Sequence, residues 1–395
     1  MNQVFLKYWD LPRELRLLLD ISLQQRVQVP EGIDWDYFDK LVSQHRVQPL
    51  LIRGLRTLGG DCPQELAKYR LQQSRYVKQS MDRIQSLAAI NAAFSDAGIH
   101  MISMKGPMLA MELYGDPSLR TSRDLDLMVA QEDLDRAEEV LTGMGYMLEQ
   151  HAYTKTPLRR KYYGMLQHEK HRVYVRNEIC VEVHWRSDYQ REQSFCELWS
   201  RREERQLLGR AIALLGHDDR IPALIVHAAE HGFLRLRWLL DLYELQKKPG
   251  FSWERAYELM DAQGLGAVLL ETMLVMQRLD LPGMTDVNCK YFHLSRSEVG
   301  IRLEAKESDR AAQLSNAVFP LIQRAVKSTE AEWKTYDRLM PSEVYGKTAF
   351  QWFLTFVGPA EYDYELIDLP DWLFWLYFII RPINWVWRKL FGGKR

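Results

Sequence analysis

The sequence predicts an α+β protein, with a small mixed β-sheet flanked by helical regions on either side along the chain. Three observations predict it. Apolar residues recur three and four apart before residue 98 and again beyond residue 200. Between those limits the pattern changes to short runs rich in Val and Ile, punctuated by Gly, Pro and Asn. The chain's 395 residues, 47% hydrophobic and 27% charged, suffice for two or three domains and do not have the makeup of a disordered chain. Four parts are expected: an N-terminal helical region 1–98, an α/β core 99–200, a C-terminal helical region 201–356 and an aromatic, basic tail 357–395.

The elements follow in order. Helical spacing covers 11–24, 35–58 and 63–97, with Gly59-Gly60 separating the second stretch from the third. Met81, Ile84, Leu87, Ala88, Ile90 and Ala93 form one continuous stripe, expected to be buried. Residues 99–104 read as a strand, and Lys105-Gly106-Pro107 as the turn into a helix that Gly115-Asp116-Pro117 ends. Leu125–Val129 reads as a second strand and Glu132–Gly143 as a helix returning over the sheet. Val173–Val175 and Ile179–His184 are two further strands joined at Arg176-Asn177-Glu178. Helices are then expected at Gln206–Leu215, Ile221–Gln246, Trp253–Gln263 and Ala267–Leu279, with helical pieces up to about 356.

Composition excludes several classes. Fifty-two basic and 53 acidic residues leave a net charge of −1, which argues against long nucleic-acid substrates. Four scattered cysteines without a CxxC pair rule out a disulfide framework or zinc ribbon and fit a cytoplasmic location. The N-terminus shows no secretory signal pattern.

The sharpest motif is Arg123-Asp124-Leu125-Asp126-Leu127-Met128-Val129. On a strand, Asp124 and Asp126 project to one face. Two carboxylates about 5 Å apart repel by roughly 3 kcal/mol at an effective dielectric near 20. A divalent cation relieves this, and oxygen donors favour Mg²⁺ or Mn²⁺. Glu182, flanked by Val181 and Val183 on a second strand, is an unusual place for an acid and offers a third ligand. Spacing alone is weak, because chance supplies about seven acid-x-acid pairs in such a chain. A solvated strand edge is the plain alternative.

With these motifs in place, the chain resembles the uncharacterised bacterial nucleotidyltransferase-like family, a branch of the polymerase-β-type nucleotidyltransferase superfamily. Lys105-Gly106, Leu113-Tyr-Gly-Asp-Pro117, Asp124-Leu-Asp-Leu-Met-Val129 and Val181-Glu-Val-His-Trp185 carry the resemblance. His45-Arg-Val-Gln-Pro-Leu-Leu51, the stretch from His227 to Asp241, and two short motifs near the C-terminus extend it. The resemblance implies a polymerase-β-type nucleotidyltransferase fold and a two-metal site, with Asp124 and Asp126 as the acid pair and Glu182 as third acid and proton acceptor. It implies transfer of a nucleoside monophosphate from an NTP to a hydroxyl or phosphate acceptor. One departure stands out. Relatives of the wider superfamily carry Gly-Ser or Gly-Gly in the phosphate loop, where this chain has Lys105-Gly106-Pro107. Gly106 permits close backbone approach, Lys105 offers a point charge to phosphate, and Pro107 removes one donor. A catalytically degenerate nucleotide sensor or scaffold is therefore the alternative function.

Secondary candidates surround this core. Arg120 and Arg123 are close enough to face triphosphate or to pair with acids. His184 shares the face of Glu182, as a partner of a metal ligand or as a satisfied core histidine. His227 and His231 share a helix face, but the span lacks the HExxH acid position, so zinc is not expected there. A polar cleft wall with Arg235, Arg237 and Asp241 is the expected role, with an Arg237–Asp241 pair as the plain alternative. In the tail, Trp372–Ile380 is a run of nine apolar residues, too short to span a bilayer. Residues 371–395 carry a net +4 and eight aromatics, so Trp372–Phe391 is expected either to pack on the protein or to touch the inner face of a membrane.

Overall fold

The computed structural model describes residues 11–149, 170–186, 194–282 and 369–391, with short pieces of one to three residues between 284 and 367. The N-terminal region begins with α1 (Arg13–Ser22), α2 (Trp35–His45) and α3 (Gln48–Gly54). The Asp34 side chain caps α2 by accepting the Tyr37 N–H. The expected single helix over 35–58 is broken at Arg46, whose left-handed backbone (φ 52°) ends α2 and lets Pro49 start α3. A 3₁₀ segment, α4 (Gln64–Arg70) and α5 (Gln73–Asp96) follow. Ile84, Leu87, Ala88 and Ile90 of the expected stripe are buried, whereas Met81 is 43% exposed.

The sheet is next: β1 (Met101–Ser103), α6 (Gly106–Tyr114), β2 (Asp124–Val129), α7 (Leu134–Gly143), β3 (Met147–Leu148), β4 (His171–Arg176) and β5 (Ile179–His184). Asn177, at φ 53°, makes the β4–β5 turn, as its position in the motif predicts. After α8 (Phe195–Ser200), the stretch expected to be a helix at Gln206–Leu215 is instead a hairpin, β6 (Glu203–Leu207) and β7 (Arg210–Leu214). Leu208 and Gly209, both at positive φ, make its two-residue turn. Parallel pairing of β7 with β1 supplies what helix-prone Leu, Ala and Arg could not signal. The sheet thus runs past residue 200 to Leu214. Its order is β3-β4-β5-β2-β1-β7-β6, with β2/β5 and β1/β7 parallel and the other pairs antiparallel.

Beyond the hairpin come α9 (His217–Glu230), α10 (Leu236–Leu245), α11 (Trp253–Asp261) and α12 (Gly266–Arg278). The expected continuous helix 221–246 is split at Gly232 and Phe233, both at positive φ. The helical pieces read between 285 and 356 lie almost wholly outside the described residues. Residues 371–376 form a 3₁₀ turn leading into α13 (Tyr377–Phe391).

Alternation along the strands sorts the core into two layers. Leu125, Leu127 and Val129 of β2 and Val181 and Val183 of β5 pack with α5 and α7. Ile102, Met128 and Ala213 face the other way, into a larger cluster with α1–α3 and α9–α12. One side of the tail is tied down. Tyr377 is buried, Asn384 donates to Asp363 at 2.8 Å, and Arg381 lies 3.7 Å from the same carboxylate. Trp372, Trp375 and Trp387 are exposed. No helix among the described residues is long and apolar enough to cross a membrane.

Candidate functional site

Strand register brings the acids together. Asp124 and Asp126 occupy alternate positions of β2, and the parallel neighbour β5 sets Glu182 directly opposite Asp126. Asp126 is 7% exposed, while Asp124 and Glu182 are half-buried. Such crowding has an electrostatic cost. Burial, then the charges of Asp126 and Glu182, raise the Asp124 carboxyl above its ordinary range. Burial also pushes Asp126 upward, but Lys105 and the His184 imidazole outweigh it and hold Asp126 well below that range. Glu182 is lowered, with His184 as the main cause and burial opposing it.

The turn before α6 meets β2. The Met104 N–H donates to the Asp126 carbonyl at 3.0 Å, and Gly106, at φ 71°, turns the chain into α6. Lys105 points inward: its Nζ is 3.9 Å from Asp126 Oδ1 and donates to His227 Nδ1 at 2.9 Å. His227 can accept because it is neutral; burial, then Lys105 and His231, push it well below the usual histidine value. His231 stacks on Trp238 at 5.1 Å, and Arg235 lies over the same ring. The histidine pair thus faces lysine and tryptophan.

The arginines divide into two roles. Arg120 is buried and donates to Asp241 at 2.8 Å; Tyr114 donates to the other oxygen of that carboxylate, also at 2.8 Å. Asp241 therefore pairs with Arg120 and not with Arg237, four residues before it on the same helix. Arg237 donates to the Thr121 carbonyl and ties α10 to the loop ahead of β2. Arg123 is exposed at the mouth of that loop. Arg46 and Arg235 both feel the charges of Arg123 and Asp124. Burial, then Arg235 and Arg123, bring Arg46 down to about 10, and burial, then Arg123, lowers Arg235. Burial and Arg120 bring Arg237 down to about 9.

His45 holds this wall in place. It is fully buried at the end of α2, its Nδ1 accepting the Leu236 N–H at 3.2 Å and its Nε2 lying 3.1 Å from the Ile322 carbonyl. Burial lowers its pKa to about 4, so it serves as a neutral strut between α2 and the start of α10.

His171 was absent from the sequence reading of the site. It pairs with His184 across β4/β5, their rings 4.8 Å apart. His184 Nε2 lies 3.4 Å from Glu182 Oε2 and 3.5 Å from Asp126 Oδ1. The signal was present: a turn centred on Asn177 and Glu178 fixes a register that sets residue 171 against residue 184.

Three carboxylates on one face of two neighbouring strands, with mutual repulsion visible at Asp124, are a donor set suited to a hard divalent cation. The surrounding guanidinium groups suit an anion with several charges. A family model described as an uncharacterised nucleotidyltransferase matches residues 31–279, a span that holds every strand and every site residue named above. No curated protein matches the chain. Among solved structures, the solution structure of the antibiotic-resistance factor ANT(2'')-Ia is similar, with a TM-score of 0.35 and 12% identity over 46% of this chain and 91% of that one.

Proposed function

The chain belongs to the uncharacterised nucleotidyltransferase family, and on that premise we propose that it transfers a nucleoside monophosphate from an NTP to a hydroxyl or phosphate acceptor with Mg²⁺ or Mn²⁺. The observation that carries this reading is the register of Asp126 against Glu182 on parallel strands, with Asp124 on the same face. Asp124, Asp126 and Glu182 would hold the cation. Bound there, it would neutralise phosphate charge and favour ionisation of the acceptor hydroxyl.

The chain's own groups supply the rest. Arg46, Arg123 and Arg235 repel one another, and a triphosphate between them relieves that repulsion while being gripped. Arg237 and Arg120 act through others: one holds the Thr121 loop, the other anchors Asp241 on α10. Lys105 serves chiefly to keep Asp126 ionised, which offsets the departure of its loop from the wider superfamily pattern. Glu182 is also held ionised, the state a proton acceptor needs.

The test supplies each α-labelled NTP with Mg²⁺ and a panel of small-molecule, sugar and protein acceptors. Label transfer with pyrophosphate release from one NTP, lost in Asp126→Asn, supports the proposal. Absence of transfer and of pyrophosphate release under every condition would sink it.

A further inference from the structure

The resemblance covers the acids on β2 and β5 and His184 beside them, but not His171 opposite it. We propose that His171, Glu182 and His184 bind a divalent transition-metal ion of the zinc class, at a position next to the Asp124–Asp126 pair but different from it in donor chemistry. The ligand atoms of the three side chains all lie within 4.8 Å of one another. Two ligands held about 2.1 Å from a tetrahedral ion are about 3.4 Å apart. His184 Nε2 and Glu182 Oε2 already stand at 3.4 Å, and His171 Nε2 is 3.9 Å from the same Oε2.

The backbone arranges this set independently of any ion. Glu182 and His184 are two apart on β5 and so share a face; His171 lies opposite His184 on β4. His184 is nearly closed off, at 4% side-chain exposure, whereas His171 and Glu182 keep 31% and 23%. Three protein ligands are the number held by reactive zinc sites, against four in sealed structural ones. Two nitrogens and one carboxylate favour a zinc-like ion over Mg²⁺, which prefers an all-oxygen shell. Asp126 Oδ1, 3.5 Å from His184 Nε2, links the ion to the acid pair. The site shares Glu182 with the proposed active site and rests on that reading for its use, though not for its existence.

The test strips the full-length chain with a chelator and titrates it with Co²⁺, followed by the visible absorption of four-coordinate cobalt, with no nucleotide present. One Co²⁺ per chain is expected, displaced by Zn²⁺ and not by excess Mg²⁺. His171→Ala should weaken it by about 10- to 100-fold or more, the loss that even an outer partner of a ligand causes. His171→Asp, which restores a ligand, should recover part of it, and Asp124→Asn should retain it. Circular dichroism checks folding; His171→Gln replaces the alanine variant if the latter unfolds. Cobalt held no more tightly than Mg²⁺, full affinity in the folded His171 variant, or loss confined to Asp124→Asn would overturn the proposal. Cobalt binding without NTP binding would sink the transferase reading and leave this site standing.

Discussion

On β2, Leu125, Leu127 and Val129 point into a dry core closed by α5 and α7, while Asp124 and Asp126 point the opposite way, toward Lys105, His184 and the arginines. A single alternating strand therefore serves two kinds of chemistry. Its apolar face gains stability from burial. Its acidic face stores repulsion, visible as the raised Asp124 carboxyl, and needs cations from distant parts of the chain to offset it. Packing and charge are separable here residue by residue, so each face can be broken without the other.

The largest contrast is expected at Asp124. Asp124→Asn should lower turnover by about 10³-fold, about 4 kcal/mol of transition-state stabilisation. Because the fold disfavours the ionised carboxyl, the same variant should unfold at a denaturant midpoint no lower than that of the wild type. A midpoint well below it would mean that Asp124 is structural. Next comes Asp241→Ala, which leaves the buried Arg120 guanidinium and the Tyr114 hydroxyl without their carboxylate. Urea unfolding should register a loss of about 3–5 kcal/mol. On the dry face, Leu127→Ala at a fully buried position should cost about 2–5 kcal/mol. The folded fraction should keep its nucleotide affinity, and a selective loss of affinity would merge the two faces.

The most gradual effect is acid sensitivity of the wall. His45 is held neutral with a folded pKa of about 4, below its unfolded value near 6.5. The unfolded chain therefore binds the proton first. Stability from this group is full above about pH 6.5 and is lost as pH falls to about 4, by about 3 kcal/mol in total. Unfolding curves between pH 7 and 4 should show that slope in the wild type and lack it in His45→Asn.

The apolar face was the more legible of the two in sequence, because alternation and Gly/Pro punctuation are local. Met101–Ser103, Gly106–Tyr114, Asp124–Val129 and Ile179–His184 all lie where those signals put them. The β6–β7 hairpin escaped because Leu208 is a rare residue at positive φ and because its parallel partner is some 110 residues earlier in the chain. The acidic face was readable only for its own acids. Asp124, Asp126 and Glu182 sit on strands with their neighbours, but Lys105 meeting His227, Arg120 meeting Asp241 and His45 meeting Leu236 are contacts across about 120 to 190 residues. No periodicity encodes such pairs. The split of α9 from α10 at Gly232 also reorients Arg235 and Arg237 in a way that one continuous helix would not.

Ligand-dependent thermal unfolding tests the acidic face most directly. The wild type and the Asp124→Asn/Asp126→Asn variant are each melted with the four NTPs, with and without Mg²⁺. An NTP at 100 times its dissociation constant should add about 2.7 kcal/mol to the wild type. The account predicts a Mg²⁺-dependent rise in midpoint with at least one NTP, absent from the double variant. An equal rise in both proteins, or no rise with any NTP, would contradict it.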